Sequence, residues 1–297
     1  MKIILIQIAS ANDLQMGVVG VSSQPHNGAE VGMSGFRVVL GLCLVASVAT
    51  ASNAALFHPA VTPQNPIVLA ADTAASTNSD DTDFLFRLGM VEGHLIVGHE
   101  LLVAHQNALA LPHFGHPVRE LYDDLSPYLK KHKFPDFDRQ LTALEAAATG
   151  APDSPKTEAQ YQEIIETVHK ARTLAPAKLR ASLPEMIKIC SDTIDAASGE
   201  YGEALEKGQI ASIVEYHDSR GYLAFVAQEV GQLKQQLSDA KSQDVLDRFK
   251  AVLAKAQWIV ADLVPNSQPR ATVAEYRAIV AEAATVANSD APAKAAQ

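Results

Sequence analysis

Phe84-Leu85-Phe86-Arg87-Leu88-Gly89-Met90-Val91-Glu92-Gly93-His94-Leu95-Ile96-Val97-Gly98-His99-Glu100-Leu101-Leu102-Val103 decides the fold class. At about 100° per residue, Phe86, Met90, His94, Val97 and Leu101 share one helical face. Leu85, Ile96 and Val103 form a second face, and Leu88, Leu95 and Leu102 a third. A helix that is apolar nearly all round belongs in the middle of a bundle. Gly89 and Gly93 lie one turn apart on one side of it. Glycine is costly inside a helix, so a neighbouring helix is expected to approach closely there.

Downstream, this first helix is expected over 83–110. Leu111-Pro112-His113-Phe114-Gly115-His116-Pro117 should break it, with Pro117 in the first turn of a helix over 117–126 and His116 near its cap. Pro127 is expected to start one further turn. The rest is rich in Ala, Leu, Glu, Lys and Gln, with no sustained strand alternation. It reads as helices near 136–148, 155–174, 183–207, 211–239, 243–264 and 271–286, with Gly208 capping the third of these. Short loops between long helices favour antiparallel neighbours. The expectation is an all-α, up-and-down antiparallel helical bundle over residues 82–287, built as one bundle or as two helical halves. Residues 288–297 read as a low-complexity, frayed tail.

Upstream, Met33-Ser34-Gly35-Phe36-Arg37 leads into the apolar run Val38 to Ala49, and small residues follow through Ala54. This basic, apolar, small-residue order over residues 33–54 is that of a secretory signal peptide. The run is short of the roughly 20 residues of a membrane span, so cleavage is expected rather than membrane insertion. Residues 1–32 read as an extension from a mis-assigned start, and residues 55–81, with Pro59, Pro63 and Pro66, as a linker. The expected location is therefore the periplasm, reached across the inner membrane.

The 297-residue chain carries a net charge of −10. An acidic surface repels phosphate backbones, which argues against nucleic acid as a partner. Past the signal the single cysteine is Cys190, so no internal disulfide can form and stability must come from packing. Cys190 follows Met186, Ile187 and Ile189 in helical register and reads as a buried structural thiol.

Of the ten histidines, His94, His99, His105, His113 and His116 fall in one short stretch. Neutral imidazole is the commonest metal ligand, and Met90 adds a thioether nearby. His94 and His105 point within about 20° of each other on a continuous helix. They are also about 16 Å apart along its axis, so they cannot share an ion there. A smaller site combines His94 with His113 or His116 and a carboxylate from another helix. The other reading makes His94 a hydrogen-bonded core residue and His113 and His116 turn caps. Glu215, Asp218 and Tyr222 share a helical face, with Ser219 beside them. The two carboxylates can hold a hard cation; the other reading places them in an Arg220-centred ion-pair network or on an exposed acidic face.

Glu200-Tyr201 through Gly208, followed by Glu215-Tyr216 and Tyr222, resembles the extracytoplasmic helical segment of bacterial high-affinity iron permeases. The stretches Phe86 to His94 and Leu111 to Pro117 are similar to a family of uncharacterised exported helical proteins of proteobacteria, which implies export and a helical fold. The imelysin-like group of periplasmic iron-associated proteins offers an analogy only. Its Gly-x-His-x-x-Glu motif is broken here, because Gly93 abuts His94 and Val97 stands where the glutamate should be.

No Gly-x-Ser-x-Gly, phosphate-binding glycine loop, His-Glu-x-x-His or haem-attachment motif occurs, and the chain is not expected to be an enzyme. The leading expectation is a periplasmic binding or accessory protein that handles iron or copper. Its candidate ligands are His94, His113 and His116, with Met90, Glu215 and Asp218 secondary. Imidazole must be neutral to bind, so affinity should weaken below about pH 6. The alternative is a metal-free helical scaffold that docks a partner protein of the cell envelope.

Overall fold

The computed structural model describes residues 70–289, with side chains from residue 79 onward. The segments read as a signal peptide, the extension before it, most of the linker and the tail beyond Ser289 lie outside the described residues. Within them the fold is an all-α helical bundle. Among the described residues no helix is long and apolar enough to cross a membrane.

Helix α1 (Ala70–Val103) begins inside the segment read as linker and ends earlier than expected. It stops at a left-handed turn. His105 has φ +55°, its N–H bonds Leu102 O at 2.9 Å, and the N–H of Gln106 bonds Leu101 O at 2.8 Å. This closes the helix with the two reversed bonds usually associated with a glycine cap. The sequence expectation of a break at 111–117 is therefore corrected. That stretch is helical, as α2 (Asn107–His116), with Pro112 inside it. A single wider π turn (Pro117–Leu121) then leads into α3 (Tyr122–Lys131), which runs through Pro127.

α4 (Asp138–Gly150) and α5 (Pro155–Arg172) follow, α5 starting from a Ser154 cap. The short α6 (Ala177–Arg180) leads to α7 (Leu183–Ala204). Gly208 does not cap a helix. α7 ends at Ala204, and β1 (Leu205–Glu206) pairs antiparallel with β2 (Gln209–Ile210). Lys207 and Gly208 between them have φ +51° and +75°, the two left-handed residues that a tight hairpin turn needs. The hairpin sends α8 (Ile213–Gln236) back along α7, and α9 (Ala240–Ile259) and α10 (Val273–Asn288) complete that part of the bundle. Thr272 and Glu275 form a reciprocal capping box at the start of α10.

α8 is the element that positions the site, because it packs on both α7 and α1. Gly93 and Gly221 meet where α1 and α8 touch. A Cβ added at Gly221 would collide with the backbone carbonyl of Gly93, and one at Gly93 would press on Tyr222 and the Gly221 backbone. The expected close approach is thus present, and Gly89 extends it against Phe225. One core of buried residues runs through α1, α2, α5 and α7–α10, so the helices do not separate into two halves with cores of their own. Cys190 lies fully buried in it as a free thiol, and burial raises its pKa.

Candidate metal centre

The Gly93–Gly221 contact places their sequence neighbours together. His94 is buried on α1, and Asp218, one turn before Gly221 and Tyr222, is buried on α8. The reversal at His105 lays α2 beside α1. His113 and His116, three residues apart, share a face of α2 and reach the same point.

Asp218 is the centre. Its Oδ1 lies 2.7 Å from Nδ1 of His94 and 2.7 Å from Nδ1 of His113. Its Oδ2 lies 3.2 Å from Nδ1 of His116. One donor atom from each of these four residues can be chosen so that all lie within 4.8 Å of one another. His94, His113 and Asp218 are almost wholly buried, and His116 is 15% exposed. Burial alone would raise the pKa of Asp218, but His94 and the hydrogen bonds from His113, His116 and His94 outweigh it and hold the carboxyl far below the usual carboxylate range. Desolvation lowers His113, whereas the bond to Asp218 raises His116.

The outer ring nitrogens fare differently. Nε2 of His94 accepts from the Tyr222 hydroxyl at 3.0 Å, which completes its hydrogen bonding. Nε2 of His113 is buried without a partner. A second group, Glu200, Glu215 and Asp218, converges beside the first and shares its aspartate. Burial, then the neighbouring Asp218 and Glu215, push Glu200 up to about 7, and burial and Asp218 raise Glu215. Arg220 does not relieve this charge. Its guanidinium turns to Glu100 (2.9 and 2.5 Å) and to the carbonyls of Val260 and Ala261, which corrects the reading of an Arg220 pair with Glu215 or Asp218.

Of the sequence candidates, His94, His113, His116 and Asp218 meet, and Glu215 stands beside them. Met90, one turn before His94, packs against the apolar core. His105 is exposed beside Asp153, and His99 stacks on Tyr161 and bonds Glu158. Two residues were missed as site candidates. Glu200 was visible only as part of the permease-like segment. His217, beside Asp218 in sequence, is buried with Nε2 on the Leu263 carbonyl, and burial lowers it to about 4. No pattern in the sequence marked it.

The fold and this cluster define a helical-bundle protein with a buried three-histidine, one-aspartate centre. Residues 176–294 match the family described as the iron permease-associated 4-helix bundle domain. The match takes in α7 to α10, and with them Asp218, Glu200 and Glu215. The three histidines come from α1 and α2, outside it. No curated protein and no solved structure matches the chain.

Proposed function

We propose that this is a periplasmic binding or accessory protein that captures a transition-metal ion, iron or copper, as cargo at His94, His113, His116 and Asp218. The observation that carries this reading is the convergence of three imidazole Nδ1 atoms on one buried carboxylate. Three nitrogens and one oxygen suit a borderline transition ion, whereas calcium and magnesium favour all-oxygen shells. A buried carboxylate with acidic Glu200 and Glu215 nearby also favours a bound cation, since desolvated charge is costly without a counter-charge. The match to an iron permease-associated bundle supports iron, and the signal-like residues 33–54 support the periplasm. Binding, rather than catalysis, is the role proposed.

Elemental analysis of untagged protein from its native source tests this. The expected result is near-stoichiometric iron or copper that is lost in His113→Ala and Asp218→Ala variants with intact helical circular dichroism. A wild-type protein that holds no ion and takes up neither added iron nor copper would leave a metal-free scaffold for an envelope partner.

A further inference from the structure

Two buried ring nitrogens in the described core have no partner, and they belong to adjacent rings. Nε2 of His113 and Nδ1 of His217 are both unpaired, and the two rings lie edge to face with centroids 5.4 Å apart. As the rings stand these two nitrogens make no hydrogen bond, but the 5.4 Å separation leaves room for an N–H···N bond of about 3 Å once they turn toward each other.

The tautomers imposed by their other contacts give neither ring cause to turn its free nitrogen toward the other. A backbone carbonyl only accepts, so the His217 nitrogen on Leu263 O (2.8 Å) carries the proton, and Nδ1 of neutral His217 is an acceptor. Likewise the carboxylate of Asp218 accepts from Nδ1 of His113, which leaves Nε2 of His113 an acceptor as well. Two acceptors cannot bond each other. An ion that takes Nδ1 of His113 reverses this, because the neutral ring then carries its proton on Nε2.

We infer that His217 is the positioning residue for the metal ligand His113: once an ion sits on Nδ1, Nε2–H of His113 donates to Nδ1 of His217, which Leu263 holds in the accepting tautomer. This rests on the proposed metal reading and adds a residue outside its ligand set. Metal-bound histidines generally donate their other N–H to such a partner, and losing the partner weakens binding about 10- to 100-fold.

The test uses the full mature chain and Zn²⁺ as a diamagnetic probe, its affinity measured by competition with a chromophoric chelator. His217→Phe, which fills the space without an acceptor, should lose about 10- to 100-fold in affinity. His217→Gln, which can both donate to Leu263 and accept from His113, should stay within about threefold of wild type, less than the loss of a good partner. Nitrogen-15 spectra of the wild type should show the His113 proton move from Nδ1 to Nε2 on loading, a readout that needs no variant to fold. Unchanged affinity in a folded His217→Phe protein, or a His113 proton that stays on Nδ1 when loaded, overturns the inference while leaving the metal site standing. A wild-type protein that binds neither Zn²⁺ nor Cu²⁺ overturns both.

Discussion

Gly93 and Gly221 face each other backbone to backbone at the α1–α8 contact, and the histidine–aspartate cluster is built on that approach. His94 follows Gly93 directly, and Asp218 precedes Gly221 by nearly one helical turn. Any side chain that separates the two backbones also separates the imidazole from the carboxylate it bonds at 2.7 Å.

Gly221→Ala should therefore destabilise the protein by about 1–3 kcal/mol, the usual cost of forcing a methyl into a packed contact. The obstacle is backbone, which cannot swing aside as a side-chain tip can. Gly231 on the same helix has open space around its Cα, so Gly231→Ala should stabilise by about 0.5–1 kcal/mol through helix preference alone. Urea denaturation of both variants checks the pair. Equal effects would mean that the glycine contact does not hold the helices together.

Loading the site should raise the stability of the whole bundle, because its ligands come from three helices. With free ion at about 100 times its dissociation constant, the gain is about 2.7 kcal/mol. Asp218→Asn keeps the shape of the side chain and removes its charge and one acceptor. It should abolish the gain and cost the metal-free protein about 1–3 kcal/mol, since an imidazole N–H is left against an amide N–H. Thermal unfolding of both proteins with and without added Cu²⁺ gives the comparison. An ion-dependent shift that survives in the variant would place the ion elsewhere.

The sequence revealed the helices more readily than their pairings. Leu88, Leu95 and Leu102 marked α1 as central because apolar periodicity is local, and Gly89 and Gly93 announced a close neighbour for the same reason. The end of α1 was hidden because His105 occupies a left-handed position that glycine usually fills. Pro112, read as a breaker, lies inside α2, where buried His113 and Phe114 anchor the turn to the core. His113 and His116 were identified as candidates, yet their partner Asp218 lies more than 100 residues away in sequence. Such a pairing is fixed by helix packing and has no local signal. His217 was invisible because its hydrogen-bond partner, the Leu263 carbonyl, lies in another segment.

Cys190 should be inert to thiol reagents in the native protein. Only the thiolate reacts, and here burial both raises the pKa and blocks access. In protein starting at Ala55, which contains Cys190 alone, a colorimetric disulfide reagent should find no accessible thiol until denaturant unfolds it, and then one. Reaction of the folded protein at the rate of a free cysteine would mean that α7 opens readily.

The pH dependence of stability should carry a contribution from His169. Its Nε2 lies 2.9 Å from the buried carboxylate of Glu92. That bond raises the pKa of His169; partial burial and nearby Arg172 oppose the rise, and Glu229, paired with Arg172, adds to it. A histidine raised on folding contributes stability that is fully present below its unfolded value of about 6.5 and lost as the pH climbs through the folded value. Chelator-treated wild type should therefore lose stability from about pH 6 to pH 8 more steeply than a His169→Gln variant. The other histidines are common to both proteins, so the difference between the two urea-midpoint profiles isolates this one. Parallel profiles would show that the His169–Glu92 bond does not depend on the imidazole charge, and Arg172 would then be the cation that neutralises Glu92.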